Sequence, residues 1–393
     1  MSWRESILGE EIELAYGKSL PQSARTSGEV PVYGSNGIVG WHNESLLDGP
    51  GIIIGRKGSV GAVNFTEKSY WPIDTTYYVV NKANHNWDFL HFLLLSLGLE
   101  QMNGHAVVPG LNRETAYSVP VRIPEIGEQN QIADVLRNAW KAVEVESEII
   151  KVTRELKKAA FHHLFSRGLH GTAPRETRFG VVPVSWEEMA LNECAFVQTG
   201  IAKNTRKQSV DDVEVPYLRV ANVQDGHLDL REIKTIKASR RDIESSLLQE
   251  GDVVLTEGGD FDKLGRGFIW EGQIERCVHQ NHIFAVRTDQ LKLLPRYFAY
   301  LAQSPYGKSY FLSVAHKTTN LACINSTKLK AFPVLLPCLD EQQEIASILQ
   351  TIDAKLSYHE ARQKLLRELF QSLLHDLISG KRRVDSFLRE TLA

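Results

Sequence analysis

Cysteine is scarce in this chain: four in 393 residues (Cys194, Cys277, Cys323 and Cys338), all in the second half and none at paired metal spacing. No disulfide framework is expected, and a reduced, cytoplasmic setting fits best. Long apolar runs are missing too. A stretch such as Phe89–Leu97 is broken by His91 and Ser96 and is too short to cross a bilayer. The opening MSWRESILGEEIEL lacks the basic-then-apolar order of a signal peptide, so no membrane association is expected. Charge of one sign is absent as well. The 45 Lys+Arg and 48 Asp+Glu leave a net of −3, so any nucleic-acid binding has to come from local basic patches. With 42% hydrophobic and 24% charged residues the chain is neither disordered nor collagen-like, and its length suggests two or three folding units.

Catalytic motifs are also lacking. No Asn-Pro-Pro-Tyr type sequence for amino methylation occurs, no Gly-rich loop suits a methyl-donor cofactor, and no nucleophile elbow is present. Gly17–Ser19 and Gly307–Ser309 both read Gly-Lys-Ser. A phosphate loop needs a glycine five residues earlier, where Ile12 and Ala302 stand. The CVHQNH run with Cys277, His279 and His282 has no second ligand pair, which argues against a metal site. No catalytic site, metal or bound cofactor is expected in this chain.

What the sequence does contain is itself, twice. VPVRIPEIGEQNQIADVL at 119–136 aligns with FPVLLPCLDEQQEIASIL at 332–349, and the alignment runs without a gap to Ser166 and Ser379, with fifteen identities in the 47 positions from Pro120/Pro333. Each copy begins with two prolines that end an extended segment. Asp340 is expected to cap the second helix with Gln343 as capping-box partner, and Glu128 and Glu341 put negative charge where the helix dipole favours it. Apolar residues then follow at 4,3 spacing: Ile345, Leu349, Ile352, Leu356, with Leu366, Phe370, Leu373 and Leu377 resuming it beyond His359 and Gln363. The first copy keeps the same ten slots from Ile132 to Leu164. That spacing predicts coiled-coil helices of about forty residues, ~60 Å each. Packed antiparallel around a pseudo-twofold axis, they would place Glu146 near Gln363 and Ile150 near His359, a polar patch in mid-seam. Two ordinary core helices would satisfy the spacing alone.

Ahead of each helix lies a strand-rich region punctuated by Gly and Asn. Val30–Tyr33, Gly51–Ile54, Val60–Phe65 and Thr75–Val80 read as strands in the first; Val215–Val220, Asp252–Leu255, Gly267–Trp270 and His282–Val286 do so in the second. Phe89–Leu99 and Pro295–Gln303 read as short helices at matching places. The fold class expected is α+β: two mixed domains separated by two long antiparallel coiled-coil helices, with a pseudo-twofold internal repeat. The boundaries are 1–126 and 185–338 for the domains, 127–170 and 339–380 for the helices, 171–184 for a linker and 381–393 for a C-terminal tail. In that tail Lys381, Arg382 and Arg383 read as a solvated end.

The residues suited to nucleic acid lie in loops. GRKGSVG at 55–61 sets Arg56 and Lys57 between glycines, and TEGGDFDKLGRG at 256–267 sets Lys263 and Arg266 similarly. Glycines allow close approach to phosphate, and Arg or Lys can reach a guanine edge. Tyr33, Ser35, Asn36, Arg219 and Asn222 add hydroxyls, amides and a guanidinium, while Lys203, Arg206 and Lys207 suit phosphate contact. Plain turn chemistry or solvated charge accounts for the same residues.

Two strand-rich domains, each followed by one copy of a long helix, resemble the specificity (S) subunit of type I restriction–modification systems over nearly the whole chain. GKSLP, VPVYGSNGIVG, GPGIIIGRKGSVG and WPIDTTYYV resemble one class of target-recognition domain. VPYLRVANVQDG, GDVVLTEGGDFDKLGRG and CVHQNHIF resemble another. The resemblance implies a non-catalytic DNA-binding subunit of a restriction system, whose two recognition domains each read half of a bipartite asymmetric site in double-stranded DNA. It implies that the helices act as a spacer and dock two methyltransferase (M) subunits, which perform adenine-N6 DNA methylation with S-adenosylmethionine. Restriction (R) subunits would add ATP- and Mg-dependent endonuclease activity. An S-like recognition subunit of a related methyltransferase–nuclease system, a self-sufficient enzyme and a purely structural coiled-coil scaffold are the other readings.

Overall fold

A computed structural model describes residues 3–102, 110–202, 211–259, 264–317 and 322–384. The chain divides into two compact units, one formed by 1–149 with 359–393 and the other by 150–358. The division cuts through both long helices, so neither helix is a domain of its own. Each unit consists of a mixed domain and parts of both helices.

In the first unit a four-stranded antiparallel sheet runs in the order Ile12–Tyr16, Thr76–Asn81, Gly51–Gly55, Val63–Thr66. A second sheet places Val30–Gly34 between Gly37–His42, antiparallel, and Trp71–Pro72, parallel. The second unit repeats this order. Ala195–Thr199, Ile283–Thr288, Val253–Thr256 and Gly267–Ile269 form its four-stranded sheet. Lys234–Ala238, Val213–Leu218 and Val278–His279 form the three-stranded one. The two domains differ in sequence yet share one strand order. Their β-branched and aromatic cores meet the same demand, a pleated surface covered on one side by a helix: Trp87–Ser96 in the first unit, Pro295–Gln303 in the second.

The long helices span Ile126–Arg167 and Leu339–Ile378. In the first unit the Trp140 and Phe370 rings meet at a tilt with centres 5.0 Å apart, and Ser147 accepts a hydrogen bond from Gln363 at 2.7 Å. In the second, Lys157 pairs with Asp353 at 2.6 Å and the Leu169 amide donates to Glu341 at 3.0 Å. Within each unit the contacts advance along one helix as they retreat along the other, so the two run antiparallel. All ten expected seam positions of each helix are buried or half-buried. The polar patch is present, with partners differing from those expected. Glu146 bonds His359 at 2.7 Å and Arg362 at 3.2 Å, while Gln363 turns to Ser147. Glu146 and His359 are repeat equivalents of each other, 213 positions apart, and are in direct contact.

The reason for the repeated Glu-Gln becomes clear at the helix starts. Gln129 is 3% and Gln342 0% exposed. Gln129 donates to the Pro124 carbonyl and accepts from the Asn86 amide; Gln342 donates to the Pro337 carbonyl and accepts from the Leu294 amide. Each glutamine thus ties the strand preceding its helix to the start of the domain's covering helix. The neighbouring glutamates take indole N–H groups, Trp3 to Glu128 at 3.0 Å and Trp186 to Glu341 at 3.3 Å. Each tryptophan immediately precedes the strand that pairs with the one before the helix, Arg4–Ile7 with Pro120–Ile123 and Glu187–Ala190 with Pro333–Leu336. The glycines closing the long helices, Gly168 and Gly380, have φ of +65° and +70°, and a Cβ on either would press on the same tryptophans at 3.3–3.4 Å.

Three local expectations are corrected. Asp340 is not the cap: the second helix already starts at Leu339, where the Cys338 carbonyl takes the Gln342 amide, and Gln343 bonds Ser347. The supposed linker 171–184 holds a hairpin, Pro174–Thr177 with Gly180–Pro183, because Val182 finds a fully buried place in the core of the second unit. The basic tail is not simply solvated, since Arg383 bonds Glu128 at 2.6 Å and Val384 is 2% exposed.

Replacing either glutamine by alanine strands buried backbone groups. Gln129→Ala and Gln342→Ala are each expected to lower stability by about 1–3 kcal/mol, read as a shift in denaturation midpoint.

Candidate nucleic-acid interface

The four-stranded sheet of the first unit brings distant residues to one edge. Tyr16 closes its strand opposite Tyr77, and Ile54 pairs with the same Tyr77 from the other side. Arg56, two residues beyond Ile54, is therefore delivered to these rings. Arg113 arrives from the start of the short helix Arg113–Tyr117, held by the Asn112 side chain, which accepts from the amides of Glu114 and Thr115. The Arg56 guanidinium lies 5.2 Å from the Tyr16 ring centre and 6.0 Å from that of Tyr77. That of Arg113 lies at 4.8 and 5.9 Å. Tyr16 is 53% exposed.

Arg56 donates two hydrogen bonds to the Asp74 carbonyl, at 3.2 and 2.7 Å, and Arg113 one to that of Leu14 at 3.4 Å. These orient the guanidiniums without neutralising them. Neither has an ion-pair partner among the described residues. Burial is the main cause that raises the Tyr77 phenol, a hydrogen bond with Tyr16 adds to it, and the two guanidiniums oppose it. The phenol is neutral at pH 7, and two cations share an exposed aromatic face. Such contacts stabilise by roughly 0.5–1 kcal/mol each at exposed sites, and the arrangement suits a phosphate or a guanine edge.

Lys57 is exposed beside this pair, its amide donating to the Thr75 carbonyl. The hairpin tip next to it carries exposed Asn36, while Ser35 spends its proton on the Thr75 carbonyl at 2.8 Å. Tyr33 is a correction. It is 7% exposed, packed edge-on against Tyr70 in a small core with Ile53. Both faces of the strand Val30–Gly34 are covered, Val32 packing in one small core with Leu20 and Trp71 and Tyr33 in the other. Three exposed residues of the hairpin escaped the sequence reading: Ile38, Val39 and Trp41, at 49%, 48% and 53%.

In the second unit Asn222 is also corrected. It is 4% exposed, accepts from the Arg219 amide and donates to the carbonyls of Asp229 and Glu232 at 2.9 Å. All three bonds close a loop. Arg219 stays half-exposed, 3.8 Å from the Glu232 carboxylate, and Arg266 is half-buried. Lys203, Arg206, Lys207 and Lys263 lie outside the described residues. By strand register, Glu257 takes the place that Arg56 has in the first unit, and its carboxylate is 2.5 Å from His282 Nδ1. Equivalent positions thus carry opposite charge.

The CVHQNH residues are separated by burial. Cys277 and His279 are 1% and 0% exposed, and His282 faces solvent. Burial pushes the Cys277 thiol up to about 12 and His279 down to about 4. His279 Nδ1 donates to the Ser246 carbonyl at 3.0 Å. Among the described residues no three His, Cys, Asp or Glu side chains converge as a metal site. Because the folded form holds His279 neutral while the unfolded chain protonates near pH 6.5, stability is expected to fall as pH drops from 6.5 toward 4. The loss is on the order of 3 kcal/mol, and His279→Gln should flatten that part of the stability–pH curve.

Residues 2–154 and 183–368 match the family model described as the type I restriction modification DNA specificity domain. A putative type I restriction enzyme specificity subunit, MjaX, from Methanocaldococcus jannaschii is 26% identical over 206 residues, which are 50% of this chain and 48% of that protein. The EcoKI specificity subunit of Escherichia coli K12 is 26% identical over 343 residues, 77% of this chain and 70% of its own. The chain thus spans about half the length of the first of these relatives. Among solved structures, a type I restriction–modification S subunit from M. genitalium aligns over 96% of both chains, with a TM-score of 0.62 at 15% identity, a likeness of fold.

Proposed function

Because this chain belongs to the type I restriction modification DNA specificity family, we propose that it is the DNA-recognition subunit of a type I restriction–modification complex. Each mixed domain reads one half of a bipartite asymmetric site. The paired helices set the gap between the halves, and catalysis resides in partner subunits that methylate adenine with S-adenosylmethionine and cleave DNA with ATP and Mg. The observation that carries this reading is one strand order used twice with different chemistry on equivalent loops. Arg56 stands where the second unit has Glu257. A shared frame with unlike contact residues is what two unlike half-sites require.

Docking of methyltransferase subunits is supported by the outer helix faces. The second unit exposes Val152 and Leu156, at 58% and 53%; the first exposes their repeat equivalents Leu365 and Leu369, at 65% and 49%. Exposed apolar pairs at i,i+4 spacing favour a partner surface. Duplicated faces fit two copies of one partner. Leu365→Glu with Leu369→Glu is expected to reduce recovery of the co-expressed methyltransferase subunit, leaving the isolated chain folded by circular dichroism.

Methylome sequencing tests the central reading. Exchange of residues 1–126 for another such domain is expected to change one half of the methylated sequence and leave the other intact. Arg56→Ala and Arg113→Ala are each expected to weaken binding of specific DNA by about 1–3 kcal/mol if a base edge is lost. Insertion of one helical turn in both long helices should change the gap. Methylation insensitive to all of these changes would remove the proposal.

A further inference from the structure

A second cationic site lies away from the loops that the sequence singles out. In the second unit a cleft of about 470 Å³ is lined by Arg154, Lys157, Lys158, Asp225, Gln303 and Lys308, with Phe161 and Pro305 completing the wall. Four cations and one acid therefore face a single recess. Lys308 is paired with Asp225 at 2.8 Å, and Lys157 with Asp353 at 2.6 Å while lying 5.7 Å from the Phe161 ring centre. Lys158 is exposed and has no ion-pair partner among the described residues. Asp353 and Asp225 offset Lys157 and Lys308, and Lys158 leaves the recess with a net positive side chain. Pro305 also begins the helix Pro305–Val314, whose cap Ser304 is already engaged with the Gly307 amide. The positive end of that helix dipole thus adds to the field of the side chains.

The internal repeat supplies a control. The fold does not demand Lys157 and Lys158, because their slots in the first unit hold other residues, whereas Arg154 recurs there as Arg367. Phe370 replaces Lys157, Gln371 replaces Lys158 and Trp140 stands where Asp353 does. There the ion pair becomes an aromatic contact of 5.0 Å, and Phe370 is 3% exposed, with Phe92 6.0 Å away. One unit fills the place with packed rings. The other keeps an open recess and charges it, although like charges crowded together oppose folding.

We infer that this recess is a binding site for a phosphate group. Three ammonium groups and a guanidinium match the several acceptor oxygens of phosphate, and charge-assisted bonds of this kind are the strong ones. The group can come from DNA backbone outside the bases being read, an arm that rests on the proposed function, or from a free phosphate compound.

Two measurements separate these sources. Inorganic pyrophosphate titrated calorimetrically into the full-length chain at low salt should bind at one saturable site. Lys158→Gln and the double variant Lys157→Gln, Lys158→Gln should weaken it by about tenfold or more. In the complex assembled with its methyltransferase subunit, the salt dependence of specific DNA binding is then compared. A slope reduced by about 0.9 per lost contact, with base preference unchanged, assigns the phosphate to DNA. An unchanged slope together with weakened pyrophosphate binding assigns it to a free phosphate compound. Absence of saturable pyrophosphate binding, or binding indifferent to both variants, overturns the site even where the wild-type complex still selects its DNA sequence.

Discussion

Two buried glutamines hold the molecule's plan in place. Gln129 and Gln342 each sit under a domain and bridge a strand end, a long helix and the first turn of the covering helix. A buried amide with all its bonds made specifies one geometry, because any tilt of the helix would leave polar groups unpaired in a dry interior. The direction in which each helix leaves its domain is therefore set at its first turn. Glu128 and Glu341, beside them, bond the tryptophans that open each domain, so entry and exit of the chain are fixed at one place.

From that seat follows the use of the repeat. Two like helices that meet antiparallel must bring one pair of equivalent residues face to face, and here it is Glu146 and His359. An apolar pair at that point would tolerate sliding by a turn. A carboxylate bonded to both His359 and Arg362 does not, since a slip would bury it without partners. The apolar positions around it provide adhesion, and the polar contact provides register.

Specificity is then free to vary where the frame is not involved. Both domains use the same strand order, so the loops at the strand ends are equivalent by position, and the described side chains there differ. Arg56 and Arg113 flank Tyr16 in one unit; Glu257 and His282 pair in the other. The same freedom operates on the helices, where Lys157 with Asp353 in one unit corresponds to Phe370 with Trp140 in the other.

The sequence by itself determined the repeat, the length of the helices, their seam and the central strands of each sheet, but not edge strands such as Ile12–Tyr16 and Ala195–Thr199, because the former depend on periodicity and on proline and glycine, which act over a few residues. Of the loop residues it singles out, Lys57 and Asn36 are exposed and Arg56 is half-exposed. Tertiary structure alone decided that Tyr33 and Asn222 turn inward and that Tyr16 and Arg113 meet Arg56 across 97 residues of chain. It also decided that 171–184 folds as a hairpin and that Arg383 returns to Glu128. The physical reason is common to all of these. Which face of a strand is buried, and which distant side chain completes a charged cluster, depend on sheet pairing, and pairing is a long-range choice that no local pattern of residues encodes.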